Sequence, residues 1–439
     1  MKRICQLLLC SKNEHKAGVF WNSIAYMLFG LQSLIINVVL RMFVEISING
    51  IFAISFSNAM LFLTIGKYAM KDYQVSDTQE QYSFNEYRAT KMFTTFMMVA
   101  ISGLYTIYAS VKNEYSLYKS FVMILMCILK SHDAIEDVYY CHFIKNKRLD
   151  IAGKIMSTRL ISVLLALVMT IIVCKNLLTA LIVANVVSLL LLFFYIIYLF
   201  PQSGIEDFSL QLLDNKSKKE QQKSIITIPN WEILVNCFPL FLGAFLAYYV
   251  NAASKIAIDS QMDDESMGIY GFLTMPVFVI SLMNNIIFTP QMMCVIELWK
   301  SRKINDFIKK ICAQISIIGL LTFACVVCAW FFGVQCMSFI FNIELNMYKV
   351  DIVILLFGSG LVALSDLFVI MATIIRYQNY TVIGYIIGGI AAFIVSEPAV
   401  KYFGIRGATV SYIFLAFFLC VCFCIIFIKG YKNNMGNVN

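Results

Sequence analysis

Charge is what this chain has little of. Lys, Arg, Asp and Glu make up 14% of its 439 residues and hydrophobic residues 60%, whereas about a quarter charged is usual for a soluble domain. With a mean hydropathy of +0.78, the composition excludes a soluble globular protein. Histidine is scarcer still: His15, His132 and His142 are the three, and they form no metal-binding helix motif. No GxSxG, no GxxxxGK[ST] and no nucleotide-binding glycine pattern occurs, so the common signatures of hydrolases and nucleotide enzymes are missing. Only six prolines interrupt the apolar runs.

Those runs are what the chain has in abundance. A helix needs about 20 apolar residues to cross the hydrocarbon core. Reading for such lengths predicts twelve spans, near 18–40, 46–66, 92–110, 117–140, 151–173, 177–200, 232–256, 268–292, 311–333, 347–375, 381–397 and 407–428. The expected fold class is therefore all-α, a polytopic membrane protein, with a parallel repeat of two six-helix bundles suggested by the internal alignment given below. Basic loops are retained in the cytoplasm. With the N-terminus inside, 24 Lys and Arg fall inside and 8 outside, leaving Lys130 and Arg159 deep in spans. Both termini are thus expected on the cytoplasmic side, and the net charge of +8 reflects topology; no nucleic-acid-binding module is seen. Trp21, Trp231, Trp299 and Trp330 fall near span ends, as interfacial aromatics do. Of the fourteen cysteines, Cys325, Cys328, Cys420, Cys422 and Cys424 lie inside spans and read as small apolar packing residues.

The polar stretch between Pro201 and Pro229, with its Lys-rich run Lys216 to Lys223, reads as a cytoplasmic linker. The expected organisation is an N-terminal segment 1–16, a bundle 17–200, the linker 201–230, a second bundle 231–428 and a tail 429–439. A repeat supports two like halves. A shift of 214 positions takes Asn22 to Asn236, Leu28 to Leu242, Asn37 to Asn251 and Arg41 to Lys255, and a four-residue insertion, Asp263 to Ser266, then sets Gly50-Ile51-Phe52 against Gly268-Ile269-Tyr270. Outer loops are short, the longest running from Val334 to Tyr348, so no folded extracellular domain is expected. In the inner loop 67–91, Ser76-Asp77 and Ser83-Phe84-Asn85-Glu86 offer start signals for a surface helix ahead of the third span. Pro239, Pro276 and Pro290 predict kinks in spans seven and eight.

An ionisable group inside a span costs about 2.5–3.5 kcal/mol on insertion scales, so each needs a partner, water or a purpose. Asn37 with Arg41 and Asn251 with Lys255 are each four apart, which puts each pair on one helical face. They are the candidate substrate-binding residues if their helices face a common cleft; the alternative is that Arg41 and Lys255 snorkel to the outer interface. Lys130, His132, Asp133, Glu136 and Asp137 crowd the inner half of span four, and Arg159 lies at a depth in span five that matches Asp133 across the hairpin. These charges are expected to lock two helices or to couple transport to an ion. Asp366 stands alone in span ten and is expected to face the bundle interior or water.

Several stretches carry a resemblance: Tyr249 to Asp259 (YVNAASKIAID), Gly268 to Phe272 (GIYGF), Glu297-Leu298-Trp299, Tyr82 to Arg88 (YSFNEYR), Asp133 to Tyr139 (DAIEDVY) and Lys147 to Lys154 (KRLDIAGK). The chain resembles bacterial lipid-linked oligosaccharide flippases of polysaccharide biosynthesis, within the multidrug, oligosaccharidyl-lipid and polysaccharide exporter superfamily. The resemblance implies a V-shaped cavity opening alternately to each side of the cytoplasmic membrane. The implied cargo is an isoprenoid-diphosphate-linked oligosaccharide turned from the inner to the outer leaflet, with Arg41 and Lys255 as phosphate-facing cations. It implies no enzyme activity and no cofactor. A coupling ion is left open, with Asp133, Glu136 and Asp366 as the groups to test, and membrane lipids and glycan-assembly enzymes are the other candidate partners. The competing readings are a multidrug exporter of the same superfamily, whose cavity would be rich in acids and aromatics, a membrane glycan polymerase, which the short outer loops disfavour, and an assembly scaffold.

Overall fold

The structure, a computed structural model, describes residues 8–11, 13–77, 81–201, 228–278, 280 and 291–436. All regular structure among them is helical. Helices α1 (Glu14–Phe43), α2 (Ile46–Lys67), α3 (Met70–Ser76), α4 (Phe84–Lys112), α5 (Leu117–Lys145), α6 (Leu149–Cys174) and α7 (Leu177–Phe194) are followed by α8 (Trp231–Gln261), α9 (Asp264–Leu273), α10 (Met292–Lys300), α11 (Ile304–Cys328), α12 (Val334–Phe341), α13 (Lys349–Ile374) and α14 (Gln378–Gly436). Among the described residues nine helices are long and apolar enough to cross a membrane. One of these, α14, is a hairpin of two limbs. The charge-laden α5, 29 residues long, matches the expected fourth span, and the expected eighth span, 268–292, lies partly outside the described residues.

The chain forms two compact units, one of residues 1–44 and 55–245, the other of residues 45–54 and 246–439. The division falls inside two continuous helices: the first nine residues of α2 belong to the second unit, and α8 up to Phe245 belongs to the first.

The long helices follow from their apolar runs, and short polar signals set their ends. Asn13 accepts from the Lys16 amide, Ser116 from that of Lys119, Asn176 from those of Leu178 and Thr179, and Asp263 from that of Ser266, the N-cap chemistry that satisfies otherwise orphaned N–H groups. Helices α6 and α12 stop at Lys175 and Asn342, both at φ 50°.

Ser83 and Glu86 form a full capping box, but the helix they start is α4, the membrane helix itself. The surface helix expected ahead of it is instead α3, and Asp77 lies at its C-terminal end. There Asp77 accepts from the Gln81 and Tyr82 amides and the Tyr87 hydroxyl. Burial pushes its carboxyl pKa up, and these bonds outweigh that and hold it below the usual range. Ser83→Ala should cost about 1 kcal/mol, the usual worth of an N-cap, read as a lower unfolding temperature of the detergent-solubilised protein; Ser76→Ala should leave it unchanged.

Span eight is interrupted where a kink is expected: α9 ends at Leu273 with Thr274 as its C-cap, and helix resumes at Met275, beside Pro276. Helix α8 runs on through Pro239, and Pro290 and the Lys216–Lys223 run lie outside the described residues. The sharp break is at Gly404 in α14, at φ 58° and ψ −138°. On either side of it Gly384 faces the Phe423 ring and Gly388 faces Leu419, an antiparallel pairing of two limbs made close by glycine. The expected outer loop Val334 to Tyr348 is also largely helical: a π-helical turn, Ala329–Gly333, carries α11 into α12.

In the first unit, an aromatic cluster of Tyr87, Tyr139, Phe143, Tyr195 and Phe200 joins α4, α5 and the end of α7. Leu8 and Leu9 pack on it, and the adjoining backbone is pinned to the α5–α6 hairpin: Arg148 Nη2 donates to the Leu9 carbonyl at 2.6 Å and Lys154 Nζ to that of Cys10 at 2.9 Å. The first turn of α8 is tied to the same unit by Asn230, which donates to Glu86 at 3.1 Å and to Thr90 at 2.9 Å.

Candidate transport site: a charge network and a column of lysines

Span four carries its charges at Lys130, Asp133, Glu136 and Asp137, a spacing of three and four that stacks them on one side of a helix. Neighbouring helices supply the partners. Arg159 of α6, 2% exposed, reaches Asp133 Oδ1 and Glu136 Oε2 at 2.6 Å each and Ser188 Oγ of α7 at 3.2 Å. Lys130 donates to Asp133 Oδ2 at 3.1 Å and to Gln32 Oε1 of α1 at 2.9 Å. Lys91 of α4 pairs with Asp137 at 2.9 Å and donates to the Lys67 carbonyl at 2.8 Å. The depth argument for Asp133 and Arg159 thus has a direct geometric counterpart. Three cations and three carboxylates close on one another, which is how buried charge is tolerated.

Two lysines stand beside this closed set. Helix α1 places Asn22, Tyr26, Phe29 and Gln32 three to four residues apart, on one face. Tyr140 donates to the Asn22 side-chain carbonyl. Lys71 donates to the Tyr26 hydroxyl at 2.6 Å, its Nζ 5.3 Å from the Tyr26 ring centre and 4.9 Å from that of Tyr140. Lys67 lies over Phe29 at 5.2 Å, and Lys130 lies over Phe29 and Phe56 at 5.1 and 5.2 Å. Lys71, Lys67 and Lys130 therefore rise along α1 as a column. Their α1 partners, from Tyr26 to Gln32, span about 9 Å at the helical rise. Cation–π contacts hold charge in place at about 0.5–2 kcal/mol each without neutralising it. Lys67 and Lys71 are half-buried, and Tyr26 is 46% exposed, so the lower part of the column is accessible. A cavity of about 20 Å³ lined by Gln32, Phe56, Lys130, Asp133 and Arg159 continues it inward, with room for a water molecule.

Of the sequence-expected binding pairs, Asn37 and Arg41 lie in the first unit, Asn251 and Lys255 in the second. Asn37 donates to the Ser33 carbonyl at 3.0 Å and Asn251 to that of Ala247 at 2.9 Å, the same bond to the residue four back in both copies of the repeat. Asp366 lines a second-unit cavity of about 40 Å³ with Asn251, Ser365, Tyr385, Tyr412 and Phe423. That position fits the expectation that it faces the bundle interior or water. Sequence reading assigned Lys67, Lys71 and Lys91 to the cytoplasmic loop by their position at span ends. Their i, i+4 spacing from Lys67 to Lys71 was the available signal for a shared face.

No protein-family model matches the chain, and no curated protein does. Solved structures do. A multidrug resistance MATE family transporter of the MOP superfamily, in its inward-facing conformation, superposes with a TM-score of 0.62 at 11% identity over 95% of this chain and 98% of that one. An outward-facing MATE structure gives 0.53 at 12% identity over 98% and 97%. The chain has the MATE transporter fold. A MOP superfamily transporter from Pyrococcus furiosus, described as having a binding pocket of reversed polarity that suggests a different function, gives 0.55 at 12% over 98% and 97%. At such identities the MATE likeness is one of architecture, and the cargo has to be argued from this chain's own side chains.

Proposed function

We propose that this chain is an alternating-access transporter of a bacterial cytoplasmic membrane, with both termini inside, that carries an amphipathic molecule whose polar head cannot cross hydrocarbon unaided. The MATE fold, known in inward- and outward-facing forms in the proteins compared above, supports the transport reading. The cargo we infer is an isoprenoid-diphosphate-linked oligosaccharide, moved from the inner to the outer leaflet for surface polysaccharide assembly. The observation that carries it is the Lys71, Lys67 and Lys130 column, in which Lys67 and Lys71 add positive charge beside a network already balanced. Lysine is a compact point charge suited to phosphate, and the exposed Tyr26 ring and Asn22 amide offer stacking and hydrogen bonding to sugars. The lipid tail stays in the bilayer, so no bond is made or broken. Asp133, Glu136 and Asp366 remain the groups through which an ion could couple, and Arg41 and Lys255 remain secondary candidates for phosphate.

A second reading, export of amphipathic cations, has its own support. The fold neighbours include multidrug resistance transporters, and the Asp366 cavity combines a carboxylate with Tyr385, Tyr412 and Phe423, the chemistry that binds an aromatic cation. The comparisons alone favour this reading; the lysine column favours the first.

The two separate by charge of cargo. In a deletion strain, lipid-linked oligosaccharides are measured by mass spectrometry, their leaflet read with a membrane-impermeant sugar-modifying reagent, alongside susceptibility to cationic dyes. Precursor trapped inside, released by wild type and by Asp366→Asn but not by Lys67→Gln with Lys71→Gln, is the expected result. Normal precursor sidedness in the deletion strain, with dye sensitivity cured by wild type and not by Asp366→Asn, sinks the flippase and establishes export. An Arg41→Ala with Lys255→Ala arm, expected to complement, returns those residues to interfacial anchoring.

A further inference from the structure

Asn22, Tyr26 and Phe29 meet their partners only if α1 keeps one rotation about its axis, and residues that hold that rotation lie on α6. A Cβ built on Gly153 would lie 2.6 Å from Asn22 N and 2.9 Å from the Trp21 carbonyl carbon; one built on Gly18 would lie 3.2 Å from Asp150 N. Over this turn the two helices approach backbone to backbone, as small residues in membrane helices allow. Ser157, one turn further along α6, donates from its Oγ to the Trp21 carbonyl at 3.0 Å. Asn22 sits at the edge of the seam. Its backbone rests on Gly153, and its side chain accepts from Tyr140 on the face that Tyr26 continues.

The same turn of α6 binds the chain ahead of α1. Asp150, 0% exposed, accepts from Ser11 Oγ at 2.7 Å and from Arg148 Nε at 3.0 Å. Lys154 Nζ donates to Ser11 Oγ and to the Cys10 carbonyl, both at 2.9 Å. Arg148 also donates to the Leu9 carbonyl. In the stretch Lys147 to Lys154, which carried resemblance without a role, Arg148, Asp150, Gly153 and Lys154 therefore all meet residues 9–22. Two cations, an acid and a bare backbone make it a receptor for the start of the chain. All of these residues belong to the first unit.

We propose that Asp150, Gly153, Lys154 and Ser157 are positioning residues for cargo recognition, fixing α1 so that Asn22 and Tyr26 stand against Tyr140 and Lys71. The assignment rests on reading the lysine column as the head-group site. The seam stops α1 from rolling, and the tethered residues 9–11 stop it from sliding. A shift of α1 by one residue would turn its faces by about 100° and move them about 1.5 Å. That is enough to carry the Tyr26 hydroxyl away from Lys71 Nζ, 2.6 Å from it.

Gly153→Ala and Ser157→Ala test this in the full chain, the first by pushing Asn22 off the seam, the second by removing only the bond to Trp21. One readout needs no cargo. Detergent-solubilised protein is treated with an amine-acetylating reagent, and modification of each lysine is followed by mass spectrometry. Lys71 is expected to react about tenfold faster in Gly153→Ala than in wild type, the scale of one charge-assisted hydrogen bond, with Lys300 of the second unit unchanged. The other readout is flipping in reconstituted vesicles of lipid-linked oligosaccharide extracted from the deletion strain. Its half-maximal concentration is expected to rise about tenfold in Gly153→Ala while the maximal rate holds. Ser157→Ala should move both readouts the same way by less, and it carries the test if Gly153→Ala does not fold. A lower unfolding temperature with both readouts at wild-type values would overturn the proposal and leave the seam as packing. Normal flipping by Lys67→Gln with Lys71→Gln would instead remove the head-group reading. The reactivity of Lys71 then decides alone: faster in the variants keeps α6 as what positions α1, and unchanged overturns it.

Discussion

Arg159→Met should leave little folded protein in the membrane. Its guanidinium holds two carboxylates at 2.6 Å, and its loss leaves Asp133 with Lys130 alone and strands Glu136, 8% exposed, without its ion-pair partner. Breaking a buried pair from one side costs about 3–5 kcal/mol, a large part of a total stability of about 5–15 kcal/mol. Arg159→Lys should recover only part of the loss, because an ammonium cannot fork to Asp133, Glu136 and Ser188 together. Glu136→Gln in the Arg159→Met background should restore the yield of monodisperse protein after detergent extraction, since it removes the stranded charge and leaves the Lys130–Asp133 pair in place. That pattern would mark Arg159 as a helix lock. A well-folded Arg159→Met protein that has lost transport alone would instead move the network from structure to ion coupling.

Gly407→Ala should be the most damaging single methyl in α14. The added carbon would sit 1.9 Å from the Ala399 carbonyl oxygen and 2.5 Å from its carbonyl carbon. These are backbone atoms of the opposite limb, so no rotamer change relieves the clash and the α14 hairpin has to open. Gly404→Ala should cost less, about 1–3 kcal/mol: its φ of 58° and ψ of −138° disfavour any Cβ, but the nearest side chain is Met262 at 3.6 Å, which can yield. The order of unfolding temperatures, wild type above Gly404→Ala above Gly407→Ala, is the measurement. Equal values would mean that backbone conformation rather than limb contact holds the turn.

The spans were legible because a membrane helix announces itself by length and hydropathy, independent of what it packs against. The Asp133–Arg159 pair was legible because a hairpin lets depth be counted from both sides. Lys67, Lys71 and Lys91 were not, because a cation at a span end has the same sequence signature whether it reaches for water or turns inward. Pro239 drew attention, and the helix continues through it, as a membrane helix can re-satisfy the freed carbonyl nearby. Gly404 drew none: a glycine between two apolar limbs looks the same as one that only admits a neighbour, until its φ is known. The repeat was visible as scattered identities, and Asn37 and Asn251 repeat even their bonds to Ser33 and Ala247. What no alignment of the two halves could show is that the matched glycines touch: a Cβ built on Gly50 would lie 2.9 Å from Gly268 N, and one built on Gly268 would lie 3.3 Å from Gly50 N.

That contact has a meaning in terms of symmetry. A residue that meets its own counterpart is the signature of an isologous interface, the kind a two-fold dimer has on its axis. Gly50 and Gly268 stand to each other as the two copies of one residue stand on the axis of such a dimer, so a substitution at either glycine meets the backbone beside the other.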